Sequence, residues 1–440
     1  VFLNGKKSDY RLITIKHIKR EFEDEQFISR SKDGKKESFT RDRIFTINKL
    51  VIVIMFLKSS YEREIARFFQ KLKNNEVQIK EATKGALSQA RAKLNPWAFK
   101  RLNEVTYTTF YDEAEYLVWH DFRVLSIDGS TLRLPNTKEI KKEFGTYKAG
   151  PKADSEVAVA RCSMLYDVFN QIVLSAEIKS YDTSEIAFVY EDHMDKIQPG
   201  DLILADRLYG SYRMFFQLIE KGADFCIRMK NDWWNVVREF QNSDSNDKIV
   251  ELRIPAHQAK EFGIEIKTMK CRLVKVMLDN GQTEILCTSL TDQVKYSVAD
   301  FKSLYDARWT EEEAYKLLKA RIELEDFTGK TSRSVYQDFY AKIFMMTCCA
   351  SFCHPISEKI RIEHHKEKTK QKHSKMLNKT SAMSSFRDAI VNFFVKPIKS
   401  KIIVAYDELI YSYRIAIQEN RKFERKKKPK KLYSPNYKGI

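Results

Sequence analysis

Two aspartates close short apolar runs in this 440-residue chain: Asp128 ends VLSID and Asp206 ends LILAD. A strand terminus projects its last side chain into the crevice at the sheet edge, where open α/β folds hold their ligands. An aspartate after an apolar strand is equally an ordinary turn residue or helix cap, so each residue alone keeps both readings. A further set lies in YDARWTEEEAYKLLKARIE, where Tyr305, Arg308, Glu312 and Lys319 are spaced three, four and seven apart. At about 100° per residue they fall within an arc of roughly 60° on one helix. Glu311 and Glu313 then project about 100° to either side of Glu312. Such a stripe combines an aromatic hydroxyl, a guanidinium, a carboxylate and an ammonium, groups suited to a charged ligand. The same spacing also describes a solvated face of helix-stabilising ion pairs.

These residues need a sheet and a helix to position them, and the pattern of the chain supplies both. Residues 1–120 read as a helical domain, with apolar residues at helical spacing (Ile65, Phe68, Phe69, Leu72) and few breakers. Residues 121–230 switch to strands: Val124 to Asp128, Val157 to Leu165 and Gln171 to Ile178. A helix over Thr183 to Met194, a strand Leu202 to Ala205, a helix Ser211 to Lys221 and a strand Asp224 to Met229 follow. That order is compatible with a ribonuclease-H-like mixed sheet. Residues 231–295 read as a separate β-rich insertion. Residues 296–355 carry a long helical pattern and read as the second part of the same core. Residues 356–440 form a basic C-terminal region, ending in Arg421 to Lys431 with eight basic residues and one acid, a composition that stays solvated.

The net charge of +18 attracts polyanions, of which nucleic acid is the commonest in a cell. A membrane is not expected as partner. The longest apolar run, Leu50 to Leu57, has eight residues, while spanning takes about 20. The first 20 residues are studded with lysines and lack the apolar core of a signal peptide. Seven cysteines without framework spacing fit a reducing compartment. Cys348, Cys349, Cys353 and His354 could suggest zinc, but with no second ligand pair nearby they read as a buried helix face. The lone histidines His120, His193 and His354 read as structural.

The spaced motifs together resemble the DDE transposases of the insertion-sequence-four group of bacterial mobile elements. Tyr-x-x-Arg-x-x-x-Glu-x-x-x-x-x-x-Lys runs without gaps from Tyr305 to Lys319. SIDGSTLRLP surrounds the first aspartate, ILADRLYGSY the second, and CTSLTD leads into the helix. FTRDRIFTINKLVIVIMFLKSS, ALSQARAKLNP and KKPKKLYSPNYK extend the likeness over nearly the whole chain. The resemblance implies an α/β ribonuclease-H-like catalytic core interrupted by a β-rich insertion, with helical regions on either side. It also implies cut-and-paste transposition through metal-dependent end cleavage, a hairpin on the transposon end, and strand transfer. Opening a phosphodiester calls for an activated water or 3′-hydroxyl and a stabilised leaving oxygen, both within reach of two Mg2+ ions, with Mn2+ able to substitute. By similarity Asp128 bridges both ions, and Asp206 and Glu312 hold one each.

By the same resemblance Tyr305, Arg308 and Lys319 hold DNA-end phosphates, Arg308 through a bidentate contact. Trp233 or Trp234 stacks a flipped base, although two adjacent tryptophans on a strand cannot face one pocket and core packing is open to either. The capped helix Thr83 to Leu94 presents Gln89 and Arg91, with Ser88 and Lys93, to base edges, though an ordinary surface helix has the same composition. The implied partners are double-stranded DNA, as terminal inverted repeats and target, and a second copy on paired ends. The implied place is the bacterial cytoplasm, on the nucleoid. A catalytically silent DNA-binding relative and a general ribonuclease-H-like nuclease are the alternatives. The intact carboxylates argue against the first, and the insertion with its Tyr-Arg-Glu-Lys stripe against the second.

Overall fold

A strand that is apolar at every position suits a parallel sheet covered on both faces. Val124, Leu125 and Ile127 of strand Arg123–Arg133, and Leu202, Ile203 and Leu204 of strand Asp201–Ala205, are completely buried. These two strands are parallel neighbours, and Asp201–Ala205 is in turn parallel to Asp224–Arg228. The computed structural model describes residues 1–5, 9–35, 37–40, 44–58, 61–78, 80–148, 156–230, 234–277, 281–366 and 375–417. Trp233 and the basic run 421–431 lie outside the described residues. The chain divides into two compact units, each assembled from segments distant in sequence.

The sheet unit comprises Val1–Gly5, Glu115–Thr131 and Arg161–Lys316. Its first five long strands in chain order are Arg123–Arg133, Glu156–Asp167, Ile172–Ser180, Asp201–Ala205 and Asp224–Arg228. Across the sheet they run third, second, first, fourth, fifth. Helix Tyr212–Glu220 makes the crossover that the last parallel pair requires. The helix expected over Thr183 to Met194 is a composite: an α turn Glu185–Phe188, a π segment Val189–His193 and a 3-10 turn Met194–Lys196.

The segment 231–295 does not form a sheet of its own. Its strands Asp247–Arg253, Thr268–Met277 and Thr283–Thr288 continue the same sheet, with Thr283–Thr288 antiparallel to Asp224–Arg228. Strand Asp224–Arg228 would otherwise leave a row of unpaired backbone groups at an edge, and the added hairpin satisfies them. Arg272 locks this extension: it is 1% exposed and donates to Asp247 through Nε and Nη2, both at 2.7 Å, and to the Tyr296 carbonyl at 2.7 Å.

The helical unit comprises Lys6–Ala114, Leu132–Ala160 and Leu317–Ile440. Helix Ile47–Phe56 is buried on every face, so it needs partners all round. Those partners include helices Ser332–Lys366 and Lys379–Phe394. Residues 1–120 are therefore not a domain by themselves, and 356–440 is not simply a basic appendage: both ends of the chain share one core. Helix Lys379–Phe394 contributes Phe386, Ile390, Phe393 and Phe394 to it. Tyr10 donates to the Ser351 carbonyl at 2.5 Å, and Arg11 forks onto Asp407 at 2.5 and 3.0 Å. The pattern from Val298 to about Cys353 resolves into three helices, Val298–Asp306, Trp309–Ala320 and Ser332–Lys366, the last of which belongs to this unit. Cys348, Cys349 and Cys353 are buried and free, and His354 packs its ring on Phe110 at 5.2 Å. Among the described residues, no helix is long and apolar enough to cross a membrane.

This shared core predicts that a 1–120 fragment lacks the partners of helix Ile47–Phe56. Such a fragment should show no cooperative thermal transition by circular dichroism, whereas adding 317–440 in trans should restore one.

Candidate active site

The register of the parallel sheet decides which acids meet. Ile127 pairs with Ala205, so Asp128 and Asp206 are the next residues on adjacent parallel strands. Asp206 is also a turn residue, as its local sequence allowed: its Oδ1 accepts the Leu208 N–H at 2.7 Å, and its carbonyl accepts the Tyr209 N–H at 3.1 Å. Asp128 Oδ1 accepts the Gly129 N–H at 2.8 Å. A Cβ on Gly129 would sit 2.7 Å from Cδ of Glu185, whose carboxylate is held by Arg161 at 2.8 Å. Glycine at this position lets Glu185 pack directly against the backbone beside Asp128.

Glu312 comes from helix Trp309–Ala320. The four-residue stripe is not on one continuous helix, because the chain breaks between Asp306 and Trp309. Turn-type bonds from Arg308 N–H to Tyr305 O (3.1 Å) and from Glu311 N–H to Arg308 O (3.0 Å) tighten that junction. Tyr305 is consequently buried at 4% exposure, with its hydroxyl donating to the Ala205 carbonyl at 3.4 Å. Through that contact Tyr305 braces the strand end that precedes Asp206. Arg308 reaches two acids at once, with Nη1 3.9 Å from Asp128 Oδ2 and Nη2 3.4 Å from Glu312 Oε1. Lys319 lies two turns beyond Glu312 near the end of the helix.

Burial, with the charges of Asp206 and Glu312, pushes the Asp128 carboxyl up to about 6, against the pull of the Gly129 N–H and Arg308. The three acids are therefore close enough to feel one another. Their hard oxygens suit a divalent cation such as Mg2+. As the side chains stand, no three His, Cys, Asp or Glu among the described residues are close enough to hold an ion, and a guanidinium occupies the approach between Asp128 and Glu312. The donor set suits a divalent metal by its chemistry, although its carboxylates are not gathered around an ion position in this structure.

Several residues that sequence patterns did not single out hold this geometry. The Asp128 carbonyl accepts two hydroxyls, Tyr315 at 2.9 Å and Ser163 at 3.0 Å. Tyr315 lies three residues past Glu312, so one hydrogen bond ties the glutamate helix to the aspartate strand. Ser163 is backed by the fully buried His193, whose Nε2 lies 3.0 Å away and whose Nδ1 lies 3.0 Å from Ser175 Oγ. His193 is thus structural, as its lone occurrence suggested, and the π segment delivers it. Glu311 points inward and is 0% exposed, while Glu313 is exposed. Burial, followed by the nearby Asp128 charge, raises the Glu311 carboxyl well above the usual range. Tyr209 OH, Arg308 Nε and Arg161 Nε are buried without a hydrogen-bond partner among the described residues.

The residues expected to contact DNA separate into groups. Arg91 is 4% exposed and fully engaged: Nε to Gln337, Nη1 to Tyr61 and Thr328, Nη2 to the Ser334 carbonyl and Asp338, all between 2.6 and 3.2 Å. It is buried among these partners, where its helix alone suggested a place facing base edges. Helix periodicity pointed Arg91 at a face but could not say that Asp338, distant in sequence, waits there. Gln89 and Ser88 are exposed on the same helix. Trp234 is half-buried and stacked on Tyr212 at 4.3 Å and 14°, with its edge toward Phe215. One of its faces is therefore already covered.

A family model described as the transposase DDE domain matches residues 119–348. The transposase InsG for insertion sequence element IS4 of Escherichia coli (strain K12) is 22% identical over 262 residues, which is 56% of this chain and 55% of that protein. The chain thus spans about half the length of that curated relative. A solved piggyBac transposase synaptic complex with hairpin DNA aligns at a TM-score of 0.43 and 9% identity, over 95% of this chain and 85% of that one.

The raised Glu311 carboxyl leads to a pH prediction. In the unfolded chain it ionises near pH 4.5, whereas the folded state keeps its proton to higher pH. Its stabilising share is therefore complete below that range and is lost as pH rises through the folded value. Glu311→Gln, which cannot ionise, should fold and gain stability relative to wild type as pH rises from about 4 to about 7. Urea unfolding across that range measures the gap, and a constant gap would mean an ionised Glu311.

Proposed function

The chain belongs to the transposase DDE domain family, and from that premise we propose that it is a DNA transposase. Its proposed reaction is cut-and-paste transposition, in which it cleaves the ends of its element and joins them to target DNA. The observation that carries the proposal is the juxtaposition of Asp128 and Asp206 on adjacent parallel strands, with Glu312 linked to Asp128 through Arg308. We read the sheet as a ribonuclease-H-like core. The strand order third, second, first, fourth, fifth, with the first, fourth and fifth parallel, supports that reading.

In this proposal Asp128, Asp206 and Glu312 hold divalent metal, Mg2+ with Mn2+ able to replace it. When bound, the metal supplies Lewis-acid activation of water or a 3′-hydroxyl and stabilises the leaving oxygen. The protein's own contribution is positional. Tyr315 and Ser163 fix the peptide of Asp128, and Tyr305 braces the strand end before Asp206. Arg308 offers a planar fork to a DNA-end phosphate, and Lys319 offers a point charge further along the helix. Gln89 and Ser88 are candidates for base edges in a groove. Trp234, with one face on Tyr212, has a single face left for a base, and Trp233 is the alternative. The partners proposed are double-stranded terminal inverted repeats and target DNA, bound by two copies of the chain on paired ends at the nucleoid.

The test is cleavage of a labelled duplex carrying the inverted repeats that flank the coding region. Asp128→Asn, Asp206→Asn and Glu312→Gln should each lower cleavage by on the order of a thousandfold, corresponding to several kcal/mol of lost charge stabilisation. Gel-shift affinity for the same duplex should remain within a few-fold of wild type. Normal cleavage by any one variant would remove that residue from the site. Cleavage of every duplex regardless of end sequence would favour a general nuclease, and binding without cleavage by wild type a silent relative.

A further inference from the structure

We propose that Arg308 is the resident counter-cation of the carboxylate set: it holds Asp128 and Glu312 together until a divalent cation binds, and that binding displaces it. The inference rests on the reading of Asp128, Asp206 and Glu312 as metal ligands. Asp128 comes from a strand and Glu312 from a helix, and their like charges oppose the approach of the two elements. The Arg308 guanidinium lies between them, one nitrogen toward each, at 3.9 and 3.4 Å. Its side chain is only 7% exposed and lies near the rings of Tyr305 at 5.6 Å and Trp309 at 5.2 Å.

A comparison within the chain separates this arginine from its structural counterparts. Arg272 donates from Nε and both Nη atoms at 2.7 Å, and Arg91 uses all three nitrogens between 2.6 and 3.2 Å. Arg308 is buried yet has no hydrogen-bond partner at Nε, and both of its acid contacts exceed the short distances of a charge-assisted fork. A guanidinium placed by charge with its donors underused gives up little directional bonding when it leaves. It cannot share the space between Asp128 and Glu312 with a divalent ion, because the like charges repel. Once displaced, the unused planar fork is available to a phosphate, so metal loading would free the group that grips the DNA strand.

The experiment is a calorimetric titration of Mn2+ into the full chain without DNA, with thermal unfolding in EDTA and in Mn2+. It compares wild type, Arg308→Gln, Arg308→Lys and Asp128→Asn. Arg308→Gln should bind Mn2+ on the order of tenfold more tightly than wild type, because a competing charge is gone. It should also unfold at lower temperature in EDTA and gain more from Mn2+ than wild type gains. Arg308→Lys keeps the charge and should bind Mn2+ like wild type. Equal or weaker Mn2+ binding by Arg308→Gln overturns the inference. If that variant folds only with Mn2+ the inference is supported, and if it folds under neither condition the inference is overturned. The metal-ligand reading fails separately, if Asp128→Asn binds Mn2+ as wild type does or if wild type binds none.

Discussion

Like charges confined to one half-buried sheet edge are the constraint on which the arrangement of the sheet unit depends. Burial, with smaller contributions from the charges of Asp206 and Glu312, moves the Asp128 carboxyl up to about 6. Such a cluster would spread apart unless its backbone were held and its charge balanced. Both conditions are met. The Asp128 carbonyl is fastened by Tyr315 from the glutamate helix and by Ser163 from the next strand. The charge is offset by Arg308, and burial raises the neighbouring Glu311 carboxyl. A fourth ionised acid there would have no counter-charge among these groups.

Rigidity in that unit comes from places remote from the acids. The apolar runs that precede Asp128 and Asp206, Val124 to Ile127 and Leu202 to Ala205, are buried, so packing on both faces of the sheet fixes their position. The antiparallel extension then closes the far side of the sheet, with Arg272 saturated by Asp247 and the Tyr296 carbonyl. Buried arginines with every nitrogen engaged serve as fixed joints, since removing one leaves a buried carboxylate uncompensated. Arg91 plays that part in the helical unit through Asp338. Arg308 has the same burial and unused donors, and that difference marks a group placed for an exchange of partners.

The helical unit follows a different logic. Helix Ile47–Phe56 has no polar face, and a helix of that kind can exist only where neighbours surround it. The neighbours come from the opposite end of the chain, so the fold of the first hundred residues depends on helices that follow the last acid of the site. Composition alone suggested a basic region after residue 356. The described part instead carries a buried aromatic cluster of Phe386, Phe393, Phe394 and Tyr406.

Local sequence was enough to locate Asp206 just past a strand end, because an apolar run that stops at an acid can report its own terminus; Asp128 instead lies inside strand Arg123–Arg133, which continues past the acid. It was enough to put Glu312 on a helix with Glu311 and Glu313 turned aside, since helical geometry is a property of a few consecutive residues. It also assigned the cysteines and His193 to the interior, and the spaced motifs named the family. What faces each surface was a different matter. The burial of Arg91 depends on Asp338, the use of Tyr305 on the Ala205 carbonyl, and the clamp on Asp128 on Ser163, His193 and Tyr315. Each of these partners is separated by tens to hundreds of residues or lies across an element boundary. The merger of 231–295 into the central sheet and the union of both chain ends in one core have the same origin. Periodicity reveals that a face must be covered, and only the tertiary structure decides by what, because that choice is made by contacts between segments that the local pattern cannot connect.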